Sequence, residues 1–140
     1  MSTKLALILS LAVLAAAPAA AQNAAPDLRG TWTGESESVV FGGGSPHHPA
    51  NPNAEPRFSS VKFTMTIDKQ EGRRFFGTFA SATSSEIVIG IVSRAGTIYM
   101  VDDDGYDSGT MLAANRMELC YRHLSARARI VSCTELTKQP

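Results

Sequence analysis

The sequence predicts an all-β domain, an eight-stranded antiparallel up-and-down barrel, behind a cleaved signal peptide. Three observations carry that expectation. A leader-like segment opens the chain, no proline occurs between residues 57 and 139, and that block alternates apolar and polar residues in short runs separated by tight turns. A two-sheet β-sandwich is the alternative, since strand counting alone does not separate it from a barrel.

The leader comes first. Lys4 supplies a positive charge, Leu5 to Ala17 form an apolar run, and Ala19-Ala20-Ala21 give a small-x-small cleavage pattern before Gln22. The run is short for a membrane span, and no cysteine stands at the cleavage point to take a lipid. The expected organisation is a signal peptide at 1–21, a lead-in at 22–27, one barrel domain at 28–136 and a tail at 137–140. The expected location is periplasmic or secreted. Cleavage leaves 119 residues with 12 basic and 13 acidic side chains, a net charge of −1. Such balance offers no electrostatic grip on nucleic acid or on an anionic membrane surface.

The strands follow in order. The first spans 30–41. Residues 42–56 then run GGGSPHHPANPNAEP, a long Gly/Pro loop, because proline removes ladder donors and glycine weakens strands. Residues 58–68 alternate well, with Val61, Phe63, Met65 and Ile67 on one face and Lys62, Thr64, Thr66 and Asp68 on the other. Further strands are read at 73–80, 86–93, 97–101, 108–112, 116–123 and 128–136. The turns between them are marked by Gly72, Arg94-Ala95-Gly96, Asp104-Gly105, Ala113 to Asn115 and Ala126-Arg127. Sequential short strands favour a closed barrel, which leaves no edge strand for aggregation.

Cys120 and Cys133 are the only cysteines, and in an oxidising compartment a pair reads as a disulfide. A turn at Ala126-Arg127 sets them directly opposite each other across the last hairpin. The same register opposes Glu118 to Glu135, a mildly unfavourable like-charge pair. It also turns Met117, Leu119, Tyr121 and His123 inward against Leu136, Thr134, Ser132 and Ile130.

Gly30-Thr31-Trp32 at the head of the first strand resembles the Gly-x-Trp opening of the calycin superfamily, the lipocalins and avidins. The resemblance implies that Trp32 plugs one barrel end, that Gly30 permits close approach of the lead-in, and that a basic residue of the last strand packs over the indole. Arg129 is the expected cation, with Arg127 second. An indole covers ~150–250 Å² of apolar floor. The resemblance does not extend to biotin, because the chain has one tryptophan and Gly34 stands where avidins place an asparagine, although Ser38 falls at the serine position. The chain is also similar in size, export and disulfide to small periplasmic inhibitors of proteases and lysozyme.

No nucleophile elbow, zincin motif or phosphate loop occurs, so no catalytic residue and no cofactor are expected. The expected function is a non-catalytic barrel for a small, partly apolar ligand, lined by Tyr99, Tyr121, Ser132 and Thr134. The alternative is an inhibitor-like protein that meets an envelope partner through loop 42–56. For metals, His47, His48, Asp102, Asp104 and Asp107 are lesser candidates. The expected state of the histidines is a solvated mobile loop, and of the aspartates a soluble hairpin tip. Residues 87–92 are apolar on both faces, which means either cover by the long loop or an interface between copies of the chain.

Overall fold

The computed structural model describes residues 25–48, 50 and 55–140. The proposed signal peptide and the first residues of the lead-in lie outside the described residues. Eight antiparallel strands close into one barrel: β1 Gly30–Gly42, β2 Arg57–Glu71, β3 Arg74–Ala80, β4 Ser85–Val92, β5 Ile98–Val101, β6 Tyr106–Ala113, β7 Arg116–Leu124 and β8 Ala128–Lys138. Each strand pairs with its sequence neighbour, and β8 returns to β1, so every ladder is partnered. Among the described residues no helix occurs, and the sandwich alternative falls.

Alternation in the sequence becomes inside and outside. Phe63, Met65 and Ile67 of β2 are buried, as are Phe75 and Phe79 of β3 and Met117 and Leu119 of β7. With Leu136 and Trp32 they fill the barrel floor and middle. The disulfide joins Cys120 to Cys133 across directly opposed positions, as the hairpin register requires. Glu118 does face Glu135, and Arg116 relieves that repulsion from two residues away, its guanidinium 3.3 Å from Glu135.

The floor is sealed by Trp32, the lead-in and the end of β8. Trp32 is wholly buried, and its indole N–H donates to the Leu28 carbonyl at 2.8 Å. Gly30 adopts φ 107°, a left-handed turn that bends the lead-in under the barrel. Gln70 clamps that lead-in, accepting from the Leu28 amide and donating to the Pro26 carbonyl, both at 2.8 Å. The cation over the indole is Lys138, not Arg129, with Nζ 5.4 Å from the ring centroid. The register explains the correction. β8 runs to Lys138, which pairs with Trp32, whereas Arg129 pairs with Phe41 at the other end of β1 and stacks there at 5.4 Å.

Candidate functional site at the barrel mouth

The opposite end of the barrel has a different chemistry. Ser36 and Ser38 of β1, Glu86 of β4, Asp107 of β6, Tyr121 and His123 of β7, and Ser132 and Thr134 of β8 share the inward parity of the apolar floor residues. They sit in the upper half of the interior. The serines satisfy one another, Ser38 donating to Ser132 at 2.9 Å, with Ser36 3.2 Å from Ser38. The remaining polar groups converge on the mouth.

The long loop closes that mouth. Gly43 donates its amide to the Arg127 carbonyl at 2.7 Å, and Ser45 and His48 exchange backbone hydrogen bonds in a tight turn. The turn drives both histidines into the barrel, correcting the expectation of a solvated loop: His47 and His48 are 9% and 2% exposed. The His47 ring stands edge-on to Phe63 and Phe79, with centroids 5.2 and 6.3 Å away. With Glu86 ionised, His47 Nε2 donates to its Oε2 at 2.7 Å, while Nδ1 lies 2.8 Å from the Ser81 hydroxyl. Thr83 donates to the Pro46 carbonyl at 3.3 Å, fastening the loop to the β3–β4 turn.

A second element closes from the other side. The β5–β6 turn was expected as a soluble acidic tip, but it folds onto the mouth. Asp102 Oδ1 accepts from the amides of Asp104 and Gly105, at 3.1 and 2.6 Å. Tyr121 donates its hydroxyl to Asp104 Oδ1 at 2.6 Å, and His123 Nδ1 donates to the Asp104 carbonyl at 2.7 Å. Gly105 is required here, since a Cβ at that position would run into the Tyr121 ring. Only Asp103 of the cluster is fully solvent-facing. Asp107 is 5% exposed inside the barrel, where burial and the negative field of Asp102 push its carboxyl up to about 7.

Between these two lids lies a cavity of about 20 Å³, lined by His47, His48, Phe63, Phe79, Asp102, Asp107, Tyr121, Ser132 and Thr134. That is room for one water-sized occupant. Of the four residues expected to line the barrel, Tyr121, Ser132 and Thr134 border this cavity. Tyr99 is a correction: it is half exposed on the outer face, because alternation in β5 gives the inner face to the apolar pair Ile98 and Met100. All five candidate metal residues, His47, His48, Asp102, Asp104 and Asp107, come to this one end. The Asp102 and Asp104 carboxyl groups lie within 4.8 Å of each other and of Glu86. Sequence reasoning missed Glu86. Its signal was its parity with Val88 and Val92, which makes it the one acid facing inward on an apolar strand.

The outer face of β3 to β6 is the second unusual surface. Ile87, Ile89, Ile91, Tyr99, Val101 and Tyr106 are all at least two-fifths exposed, and the ladders set them side by side. Phe76 extends the patch onto β3, opposite Ile89. The described part of the long loop lies in the mouth and does not cover this face.

No family model matches the sequence, and no curated protein matches it. Among solved structures, an S-type phycobiliprotein lyase, CPES, from Guillardia theta is similar, with a TM-score of 0.36 and 10% identity over 81% of this chain and 89% of that one.

Proposed function

We propose that the chain is an exported, non-catalytic binding protein of calycin-like type whose ligand site is the polar mouth of the barrel, under the His47–His48 stopper. The observation that carries this reading is the split interior. The floor is filled with apolar side chains, so recognition has to be built from the polar groups gathered at the other end. The cavity limits the occupant: with the stopper seated, nothing larger than a water or an ion fits. A partly apolar small molecule enters by displacing His47 from between Phe63, Phe79 and Glu86. The disulfide suits an oxidising compartment outside the cytoplasm. Native mass spectrometry of the protein isolated from its own cell envelope tests the reading. A bound species lost in a Tyr121→Phe, Ser132→Ala double variant supports it, and a species retained by that variant places binding elsewhere.

A second reading, compatible with the first, rests on the outer β3–β6 face. A closed barrel has no free edge, so any association there is face to face through side chains. The seven exposed large hydrophobic residues are contiguous across four strands, and a standard interface takes ~800 Å² from each partner. A second copy of the chain is the occupant we propose, in a two-fold arrangement that buries the same patch on both sides.

A further inference from the structure

We infer that the dimer formed through the outer β3–β6 face is antiparallel. Its two-fold axis runs across the strands, so the floor end of one barrel packs beside the mouth end of the other, and Arg94 of each copy pairs with the partner subunit's Asp103. This rests on the reading of that face as a contact between copies and adds its orientation.

The ladders define the face. Ile91 pairs with Tyr99 and Ile89 with Val101, so its centre is two adjacent apolar rungs, with Phe76 beside Ile89 and Tyr106 beside Val101. Over the same rungs lies an open groove of about 520 Å³, bordered also by Arg74. Interface cores pack as densely as protein interiors, so the groove takes side chains from the facing copy. Twisted sheets stack face to face with their strands within about 30° of each other. A two-fold axis then lies either along the strands, setting floor beside floor, or across them, setting floor beside mouth.

Charges at the two ends of β5 separate these arrangements. The turn before β5, at the floor end, carries Arg94, and the turn after it, at the mouth end, carries Asp103. Both are exposed, and neither makes an ion pair among the described residues. Arg74 and Arg122 also border the face but are already engaged. Arg74 holds Glu71 at 3.1 Å, while Arg122 donates to the Ser108 hydroxyl at 2.8 Å and lies 5.9 Å from the Tyr106 ring centroid. An axis along the strands sets Arg94 against its own copy, and the acidic turn of Asp102, Asp103 and Asp104 against another such turn. An axis across the strands, passing between the two rungs, lays each rung on the other and brings Arg94 to the opposing Asp103. Like charges facing across an interface are costly, whereas opposite charges fix its register. Exposed ion pairs add little strength, so the apolar rungs hold the dimer and the charges choose its orientation. The two mouths then open at opposite ends of the pair.

The test is charge reversal in the mature chain, read by sedimentation. Arg94→Glu and Asp103→Arg are each expected to raise the dimer dissociation constant about fivefold or more, and the double variant to return it to within about twofold of the parent. Unchanged Trp32 emission checks that the variants fold. A second readout is geometric. Both native cysteines are held in the disulfide, so Arg94→Cys and Asp103→Cys each add one free thiol. In a mixture, a short bismaleimide should join an Arg94→Cys chain to an Asp103→Cys chain, a pair identified by its mass, and should join neither variant to itself. Arg94→Cys chains that link to each other, or single reversals that leave the dissociation constant unmoved, overturn the antiparallel arrangement while the dimer itself stands. A parent chain that stays monomeric up to ~100 μM removes the dimer and this inference together.

Discussion

Lys138 caps Trp32: the two are a cross-strand pair of β8 and β1, and the ammonium lies 5.4 Å from the indole centroid while also donating to the Asp27 carbonyl at 3.2 Å. One lysine thus ties the last strand, the first strand and the lead-in together. Trp32→Ala opens the floor and is expected to cost ~3–5 kcal/mol in urea unfolding followed by circular dichroism. Lys138→Met keeps the aliphatic stem and removes the charge. It should cost about 0.5–1 kcal/mol and shift the Trp32 emission, whereas Arg129→Met should leave that emission unchanged. Equal emission shifts from the two substitutions would contradict the plug assignment.

The disulfide links neighbouring strands that are already hydrogen-bonded on both sides, β7 to β6 and β8 to β1. Its removal should weaken the barrel without opening it. Cys120→Ala with Cys133→Ala is expected to lower stability by ~3 kcal/mol, the entropy of a loop of this length. Near-ultraviolet circular dichroism of the double variant should retain the Trp32 signature. Its loss would show that the bridge is needed for closure.

Much of this barrel was legible because period-two alternation is a local signal. The inward set of the last hairpin, from Met117 to His123 and from Ile130 to Leu136, follows from the turn position and one disulfide alone. What stayed hidden depends on distance across the barrel. Whether a loop histidine is solvated or buried depends on where residues 42–48 meet Ser81 and Glu86, which are far away in sequence. Lys138 and Arg129 are both basic residues of the last strand, and only the β1–β8 register separates them. Tyr99 shows the limit of parity counting: alternation separates Tyr99 from Ile98 and Met100 but does not by itself say which of the two sets faces the core.

The mouth also sets the pH dependence of stability. Asp107 has its carboxyl raised to about 7 by burial, so the unfolded chain releases that proton near its ordinary value while the folded chain keeps it. Between pH 4 and 7 this group therefore lowers stability as pH rises, by up to ~4 kcal/mol. His48 acts in the opposite sense. Burial lowers its imidazole to about 4, so it lends stability that is present above its ordinary pKa and lost as pH falls toward 4. The two slopes oppose each other across pH 4–6.5, and a shallow profile is expected for the unmutated chain. Asp107→Asn should make stability climb with pH over that window, and His48→Gln should make it fall. Denaturant midpoints measured at half-unit pH steps decide it, and parallel profiles for all three proteins would refute both assignments.

Self-association through the outer face makes a separate demand. Ile89 lies at the centre of the patch, paired with Phe76 on one side and Val101 on the other, and 57% of its surface is open. Sedimentation velocity at micromolar to ~100 μM protein is expected to show a dimer. Ile89→Asp should return it to a monomer, with the Trp32 emission unchanged, because a carboxylate cannot be buried unpaired in an apolar interface. A wild-type chain that stays monomeric throughout that range would remove the dimer reading.

His47 is the piece whose removal tests the stopper most directly. Its ring contacts two phenyl rings and joins Ser81 to Glu86, so His47→Gly leaves an aromatic-walled void and strands a buried carboxylate. Loss of the packing and of the hydrogen-bonded partner should together cost ~2–4 kcal/mol. The void has the shape and donor pattern of an imidazole, and engineered cavities take up small rings that match them. Free imidazole at millimolar concentration is therefore expected to raise the melting temperature of the His47→Gly variant while leaving the unmutated protein unmoved. Mass-action stabilisation should grow with the logarithm of imidazole concentration above its dissociation constant. 1-Methylimidazole, with one ring nitrogen blocked, should rescue less, since Ser81 and Glu86 each require a nitrogen. Equal responses of variant and parent to both compounds would mean that the loop collapses into the space instead of leaving it open, and the mouth would then lose its claim to be a gated site.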